Sequence, residues 1–183
     1  MATNLKNAKI LFIDDDEKAV GQYITHLKDE GFSNIVHVAI IKTLNQALAY
    51  EADLIFLDIT GVASAIDPVN DGLAVLRYVK NHAPWTRIVA LSGSQFYADK
   101  ADDLAEADVR VSKASLSLAQ LVTLTEDQLQ EALAPENRNA KILKLIYSQL
   151  DAADLGFLKK RKVKKTIEAA LKNEGIPSFD WDG

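Results

Sequence analysis

Several apolar runs of strand length in this sequence end in side chains that can do chemistry. Asp14 and Asp15 follow the run ILFI, and Asp58 ends the run LIFLD. Ser92 and Lys113 come at the ends of two later runs. Neighbouring carboxylates raise the free energy of ionising one another, so such a cluster needs a cation, hydrogen-bond donors or open water.

These residue types favour one kind of chemistry if the fold brings them together. Carboxylates from adjacent strands suit a hard cation such as Mg²⁺, which prefers oxygen ligands and keeps some of its waters. A carboxylate beside that cation can accept a phosphoryl group. A hydroxyl can bind one phosphoryl oxygen, and a lysine ammonium can neutralise charge in the transition state.

The elements that must position these side chains follow from the hydrophobic pattern. Five segments rich in Ile, Val, Leu and Phe predict strands, and they cover residues 9–14, 34–39, 53–58, 87–92 and 109–112. Segments of helical period lie between them, so the pattern predicts an α/β fold with a doubly wound five-stranded parallel sheet. Ligands of such sheets bind beyond the carboxyl ends of the strands, where all five residues named above lie.

Composition excludes several classes of site. The chain has 183 residues, 48% of them hydrophobic, which is enough for one core and a smaller appendage. There is no cysteine, so disulfides, thiolate metal sites and cysteine nucleophiles are excluded. No stretch reaches the roughly 20 apolar residues of a membrane span, and we expect a cytoplasmic protein without membrane contact.

Charge divides the chain into two parts. Residues 1–134 contain 11 Lys or Arg and 19 Asp or Glu, a formal charge of −8. Residues 135–183 contain 10 Lys or Arg and 7 Asp or Glu, a formal charge of +3. An acidic body followed by a mildly basic tail indicates a second task or a contact surface in the tail.

Five stretches in the first 120 or so residues resemble the receiver domain of bacterial two-component response regulators, the CheY-like family. They are ILFIDDDE, LIFLDIT, NDGLAVLRYVK, IVALSGS and VRVSKAS, in that order. Each lies at a predicted strand end or helix start, and the match covers about two-thirds of the chain. The resemblance implies a flavodoxin-like sheet of strand order 2-1-3-4-5.

The resemblance also implies a role for each matching residue. It implies Asp14 and Asp15 as the metal-binding acidic pair, Asp58 as the phosphorylated residue, and the backbone carbonyl of Thr60 as a further Mg²⁺ ligand. Ser92 matches the hydroxyl switch position. Lys113 matches the lysine that senses the phosphoryl group.

The expected activity is that of a phosphorylation switch. The resemblance implies that a histidine kinase or a phosphotransfer protein donates the phosphoryl group to Asp58 with Mg²⁺. The domain itself catalyses its phosphorylation and dephosphorylation, and we expect no separate enzymatic output. The phosphoryl oxygens would draw in Ser92 and Lys113. This movement would then bias the face formed by the fourth and fifth helices of the receiver domain and its fifth strand, which controls the C-terminal helices.

The sequence departs from the family pattern at three places. The lysine is usually followed by proline after a cis peptide, whereas Ala114 follows Lys113 here, and a cis bond without proline costs about 3–4 kcal/mol. An aromatic residue is common three positions before the lysine, where this chain has Arg110. The loop of residues 61–71 is several residues longer than usual and either gates access to the site or is a solvated surface loop.

Alternatives remain open at this stage. Asp16 either caps the first helix or lies behind the metal ligands. Two other functions compete with the switch: a receiver-like interaction module that works without phosphorylation, and a phosphatase similar to haloacid dehalogenases. The phosphatase would need an acidic strand end after the lysine, and none is found, because Asp127 and Asp151 lie in helical patterns.

The remaining third resembles no output domain. We predict a receiver domain at residues 1–125 and a helical C-terminal extension at residues 126–183, for output, dimerisation or partner binding. Thr125 and Gln128 have capping-box spacing, so TEDQLQEALA either extends the helix before it or restarts it. Two amphipathic helices follow Pro135.

The last of these helices has a dense run of basic residues, KKRKVKK. Its six cations are Lys159, Lys160, Arg161, Lys162, Lys164 and Lys165. The run fits a solvated basic face, nucleic-acid contact or an acidic protein partner. Since it lacks the polar side chains that read base edges, we favour a protein partner, or a homodimer through these helices, over DNA.

Overall fold

A computed structural model describes residues 5–93, 103–153 and 156–173 of the chain. The side chains at 103, 138, 151 and 171–173 also lie outside the described part. Two compact units make up the chain, Met1–Leu133 and Ala134–Gly183.

The first unit contains the predicted parallel sheet. Its strands are β1 Ile10–Ile13, β2 Ile35–Val38, β3 Leu54–Asp58, β4 Arg87–Ser92 and β5 Val109–Ser112. They are arranged in the order β2-β1-β3-β4-β5, and every pair is parallel. Both the fold class and the strand order predicted above are therefore confirmed.

The described part of the chain contains six α-helices. They are α1 Glu17–Asp29, α2 Leu44–Ala49, α3 Gly72–His82, α4 Leu118–Ala132, α5 Pro135–Ala152 and α6 Phe157–Asn173. Between β4 and β5, Asp103–Glu106 form a single 3₁₀ turn, and residues 94–102 lie outside the described part, as does any fourth receiver helix there. Helix α4 is therefore the helix expected as the fifth of the receiver domain. The predicted basic helix corresponds to α6.

Helices cover both faces of the sheet because strand side chains alternate between two apolar clusters. Leu11 and Ile13 of β1 pack in one cluster with the apolar faces of α2 and α3. Ile10 and Phe12 point to the other side and pack with α1 and α4. Nearly all of these side chains are fully buried, so the sheet is a rigid support for the residues at its carboxyl edge.

Helix α1 begins with a side-chain cap, which is one of the two roles left open for Asp16. The Asp16 carboxylate accepts a hydrogen bond from the N–H of Ala19 at 3.0 Å. Gly31, which has φ of +93°, follows the end of the helix, where a residue without Cβ is favoured. Asp16 is therefore the N-cap of α1.

Helix α4 continues without a break through residue 125. Its capping box is formed by Ser117 and Gln120 at its start. Thr125 and Gln128 lie inside the helix, and the Thr125 hydroxyl donates to the carbonyl of Leu121. The segment therefore extends the helix rather than restarting it, and the predicted boundary at 125/126 falls inside α4.

The connection that follows β5 differs from the family's usual cis-proline loop. None of the described peptide bonds is cis, so the bond between Lys113 and Ala114 is trans. Residues Lys113–Ser115 form one 3₁₀ turn, which leads directly to the cap of α4.

The second unit contains α5 and α6. Pro135 is in the first turn of α5, where its missing N–H costs nothing. The described part of the chain contains no helix both long enough and apolar enough to span a membrane.

Candidate functional site

The fold brings the predicted strand-end residues to one edge of the sheet. Asp14 follows β1, Asp58 ends β3 and Ser92 ends β4. Asp58 pairs in register with Leu91, and Ser92 pairs with Ser112, the residue before Lys113. The carboxyl ends of four neighbouring strands thus meet, as a parallel sheet requires.

Lys113 connects the two buried carboxylates of this edge. Its Nζ donates to Asp14 Oδ1 at 2.9 Å and to Asp58 Oδ2 at 2.5 Å. Asp14 Oδ2 is also within 2.8 Å of Nζ, although not in hydrogen-bonding geometry. The side chain of Lys113 is 16% exposed and that of Asp14 fully buried, so little water screens the pair.

Asp14 is held in place through its backbone as well as its side chain. Its carbonyl is 2.8 Å from Nε2 of His37 on β2, and its Oδ1 also accepts the N–H of Asp16. Burial raises the pKa of Asp14 above its usual value of 3.8, and the hydrogen bonds from Lys113 and Asp16 offset only part of this. The carboxylate therefore takes up a proton more readily than an exposed aspartate does.

The contacts with Asp14 and Asp58 favour the charged form of Lys113. Burial lowers its pKa, but the hydrogen bonds to Asp14 and Asp58 together outweigh the burial, so its pKa is raised above 10.5. Lys113 is therefore a permanent cation at neutral pH.

The end of β3 is closely surrounded by backbone. The N–H of Thr60 donates to Asp58 Oδ1 at 3.1 Å. Gly72, the first residue of α3, lies against the carbonyl of Asp58 and the backbone of Ile59, where any Cβ would overlap them. The absence of a side chain at residue 72 allows α3 to begin directly beside Asp58.

Asp14, Asp15 and Asp58 form a group that could hold a metal ion. Each offers a carboxylate oxygen, and these oxygens lie within 4.8 Å of one another. Asp15 is exposed, which leaves room for water on its side. Asp14 Oδ2 is the one buried side-chain oxygen or nitrogen in the described part of the protein that lacks a hydrogen bond.

This set suits the chemistry of Mg²⁺. The donors are oxygens only, they come from two neighbouring strands, and one buried oxygen still has an unused lone pair. Proteins usually bind Mg²⁺ through a few carboxylates and leave several of its ligands to water, rather than surrounding it with protein ligands alone.

The long loop between β3 and α3 is folded onto the protein. Val62 and Ala63 are fully buried in the apolar cluster on the α2 and α3 side, and the Val62 carbonyl accepts the N–H of Ile41 at 2.8 Å. Asp71 accepts hydrogen bonds from Gly61 and Ala63. The loop is therefore anchored to the protein by its first three residues and by Asp71 at its end, rather than being a solvated surface loop.

Two residues of this loop were not singled out from the sequence. Gly61 has φ of +90° and packs against the carboxylate of Asp15, so that a Cβ there would lie 2.6 Å from Oδ2. Asp71 holds Gly61 in that position. The only signals in the sequence were a glycine after Thr60 and the pair Asn70 and Asp71 before α3.

Ser92 and Arg110 occupy different environments. Ser92 is 6% exposed and lies at the carboxyl end of β4, beside the strand of Asp58. Arg110, on the edge strand β5, donates from Nε to the carbonyl of Leu104 at 2.9 Å. The position that is often aromatic in the family thus holds a residue tied to the segment before β5.

The basic residues predicted for partner binding all lie on α6, in the second unit. Lys160, Arg161, Lys164 and Lys165, with Phe157 and Glu168, line a shallow cavity of about 330 Å³. Phe157 and the neighbouring Leu158 are among the most exposed apolar side chains of the described chain, at 76% and 79%. This helix surface thus combines cations with exposed apolar side chains.

Comparison with solved structures finds the same fold in many receiver domains. A CheY-like response regulator receiver domain protein from Methanospirillum hungatei JF-1 is 20% identical, covering 69% of this chain and 96% of its own, with a TM-score of 0.57. The receiver domain of NtrX from Brucella abortus is 25% identical over 67% of this chain and 98% of its own, with a TM-score of 0.55.

The first unit of this chain has the receiver-domain fold. A third similar structure is the receiver domain of a sensor histidine kinase from Pseudomonas aeruginosa PAO1, which contains a magnesium ion in its active-site cleft. It is 20% identical, covers 67% of this chain and 98% of its own, and has a TM-score of 0.55. No protein-family model and no curated protein sequence matches the chain.

The receiver fold accounts for β1 to β5 and α1 to α4. The helices α5 and α6 are additional, since the structures compared cover about two-thirds of the chain.

Proposed function

We propose that this protein is a two-component response regulator whose Asp58 accepts a phosphoryl group from a histidine kinase or a phosphotransfer protein. One observation carries the proposal. The ammonium of Lys113 lies between the carboxylates of Asp14 and Asp58, with Asp15 completing an acidic group of three oxygens. A cytoplasmic location is part of the proposal, since such donors act there.

The chemical step forms an acyl phosphate. A carboxylate oxygen of Asp58 attacks the phosphorus of a phosphohistidine, the P–N bond breaks, and the leaving imidazole takes up a proton. In a separate hydrolysis step, water attacks the phosphorus of the acyl phosphate, the bond between phosphorus and the Asp58 oxygen breaks, and inorganic phosphate and the free Asp58 carboxylate are released. Asp58 is suited to attack because Thr60 and Lys113 hold both of its oxygens in fixed positions.

Asp14, Asp15, Asp58 and the carbonyl of Thr60 would hold Mg²⁺. When bound, the ion supplies charge stabilisation to phosphoryl oxygens as they acquire negative charge. Lys113 contributes the same kind of stabilisation, because its raised pKa keeps it protonated.

Lys113 and Ser92 would then report the phosphoryl group to the rest of the receiver unit. A phosphoryl group on Asp58 offers new oxygens to the Lys113 ammonium and the Ser92 hydroxyl. Lys113 begins the 3₁₀ turn that leads to the cap of α4, so its movement is transmitted to that helix. Exposure of α5 and α6, and their binding to a protein partner or to a second copy, would follow from this shift.

The proposal is tested by intact mass after incubation with acetyl phosphate and Mg²⁺. We expect one phosphoryl adduct on the native protein, none without Mg²⁺ and none on Asp58→Asn. Asp29→Asn, which changes an exposed aspartate at the end of α1, is the matched control and should be labelled like the native protein.

Light scattering on the same samples tests the role of the C-terminal helices. A change in oligomeric state that appears only with the adduct would assign those helices to regulated dimerisation. An adduct that persists in Asp58→Asn would overturn the choice of residue. A native protein that binds Mg²⁺ but forms no adduct would instead be an interaction module that works without phosphorylation.

A further inference from the structure

Asp71 has an unusual arrangement for a residue at the start of a helix. It precedes Gly72 at the N-cap of α3, where an aspartate ordinarily accepts a hydrogen bond from the first turn. Its side chain makes no such bond, and both of its oxygens are turned to the loop instead: Oδ2 accepts the N–H of Gly61 at 2.5 Å and Oδ1 that of Ala63 at 2.7 Å.

The backbone of Asp71 is strained as well. Its φ of +48° and ψ of −121° are rare for a residue with a side chain, and holding such a conformation lowers the stability of the fold. Asp71 thus lacks a side-chain cap bond to α3 and has a strained backbone. Its side chain instead makes two hydrogen bonds to the loop.

One of these bonds fixes a peptide group that matters to the metal site. The N–H of Gly61 belongs to the same planar peptide as the carbonyl of Thr60, and in a trans peptide the two point in opposite directions. A carboxylate that fixes the N–H therefore fixes the direction of the carbonyl. It also polarises the peptide, which makes the Thr60 oxygen a stronger ligand.

Thr60 and Gly61, the two residues that this peptide joins, each contact one of the three carboxylates. The N–H of Thr60 donates to Asp58 Oδ1 at 3.1 Å. On the other side, Gly61 packs so closely against Asp15 that a Cβ would lie 2.6 Å from its Oδ2. Displacing this peptide would therefore move the carbonyl of Thr60 and the surroundings of Asp15 and Asp58 together.

We propose that Asp71 is a positioning residue of the Mg²⁺ site, which orients the Thr60 carbonyl through Gly61 and confines the Asp15 carboxylate. The proposal rests on the metal site of the proposed function and deepens it. It gives the long loop a defined task, since the loop carries both the peptide that is fixed and the residue that fixes it.

The test is Mg²⁺ affinity, measured by titration calorimetry on the full chain without a phosphodonor. Two variants of Asp71 are compared with the native protein. Asp71→Asn keeps the shape of the side chain and tolerates the backbone, because Asn is enriched at positive φ. Asp71→Gly removes both hydrogen bonds but relieves the backbone strain, so a loss of affinity cannot be attributed to strain at this position.

Asp67→Asn is the matched control. Asp67 lies in the same loop and accepts two backbone hydrogen bonds, from Val69 at 3.1 Å and Asn70 at 3.0 Å, but it makes none to Gly61. The control removes the same charge from the loop as Asp71→Asn does. It therefore separates a general electrostatic effect from the specific orientation of one peptide.

We expect the Mg²⁺ dissociation constant to rise about tenfold or more in both Asp71 variants, the usual effect of removing a residue that orients a metal ligand. The unfolding temperature without Mg²⁺ should fall no further in Asp71→Gly than in Asp67→Asn. Native affinity in the Asp71 variants, or an equal loss in Asp67→Asn, would overturn the proposal. A native protein that binds no Mg²⁺ would overturn the metal site itself, and with it this role.

Discussion

The Lys113 ammonium, at the scale of single residues, is in contact with two buried carboxylates at once. Replacing it by Met keeps much of the chain length but leaves Asp14 and Asp58 facing each other. We expect the free energy of unfolding without Mg²⁺ to fall by about 3 kcal/mol, as when one partner of a buried ion pair is removed. Urea denaturation measures the change.

The pH dependence of this variant follows from the pKa of Asp14, which burial already raises above 3.8. A raised pKa means that the folded protein binds the proton more tightly than the unfolded chain, so stability increases as the pH falls through the folded value. Lys113→Met should therefore recover stability on acidification. Lys18→Met, an exposed site on α1, should stay within about 0.5 kcal/mol of the native protein at every pH.

The same titration should limit the proposed Mg²⁺ binding of the native protein. A metal ion needs the ionised carboxylate, so protons compete with Mg²⁺ for Asp14. We expect the Mg²⁺-induced rise in unfolding temperature to shrink as the pH is lowered, beginning at a pH above the ordinary aspartate value because the pKa of Asp14 is raised. A rise that stays constant down to pH 4 would contradict Asp14 as a ligand.

At the scale of elements, the start of α3 depends on a missing side chain. Gly72→Ala would place a Cβ onto the carbonyl of Asp58 and the backbone of Ile59. Relieving this overlap requires a backbone shift, with a cost of about 1–3 kcal/mol. Because the shift moves the end of β3, Mg²⁺ affinity should fall together with stability.

Gly21→Ala is the matched control for this variant. Gly21 lies within α1, and nothing is within 4 Å of the position of its Cβ. Alanine in a helix interior is favoured over glycine by about 0.5–1 kcal/mol. We therefore expect Gly21→Ala to raise the unfolding temperature and to leave Mg²⁺ affinity unchanged, and equal losses in both variants would contradict a local effect at Gly72.

The sequence predicted the elements better than it predicted the loop. Each strand begins and ends within one residue of its prediction, since continuous apolar runs flanked by polar residues have only one way to be buried in a parallel sheet. Asp14, Asp15 and Asp58 were found because strand order brings strand ends together. Asp71 and Gly61 were missed because their contact joins residues ten positions apart through the path of one loop, which no periodicity encodes.

Helix α4 shows a second limit of local patterns. Thr125 and Gln128 have the spacing of a capping box, a pattern that also arises by chance inside helices. Thr125 is fully buried, and Gln128 accepts two hydrogen bonds from Arg87 at the start of β4. Tertiary burial, rather than local sequence, therefore decides that the helix continues.

On the scale of the whole molecule, this continuation bears on where the receiver unit ends. A fragment of residues 1–125 would lack Leu129, which is fully buried, and Gln128, which binds Arg87. A fragment of residues 1–133 would keep both. We expect the longer fragment to unfold cooperatively and to bind Mg²⁺ like the full chain, and the shorter one to be less stable by several degrees in thermal unfolding.

The difference in thermal stability between the two fragments would locate the C-terminal boundary of the receiver domain. Equal stability of the two fragments would favour a boundary at 125/126, as the sequence predicts. A difference would favour the division at Leu133 that the two compact units suggest.

The contact of Lys113 with two carboxylates sets the net charge of the site and therefore the charge of the metal ion that would best neutralise it. Three ionised carboxylates and one ammonium sum to two negative charges, so a divalent ion would neutralise the group, whereas a monovalent ion would leave it with a net negative charge. An acyl phosphate on Asp58 carries more negative charge than the carboxylate that it replaces. Under the proposed phosphorylation the metal-loaded site would be negative again, which would disfavour the approach of a second anionic donor and of hydroxide and so prolong the phosphorylated state.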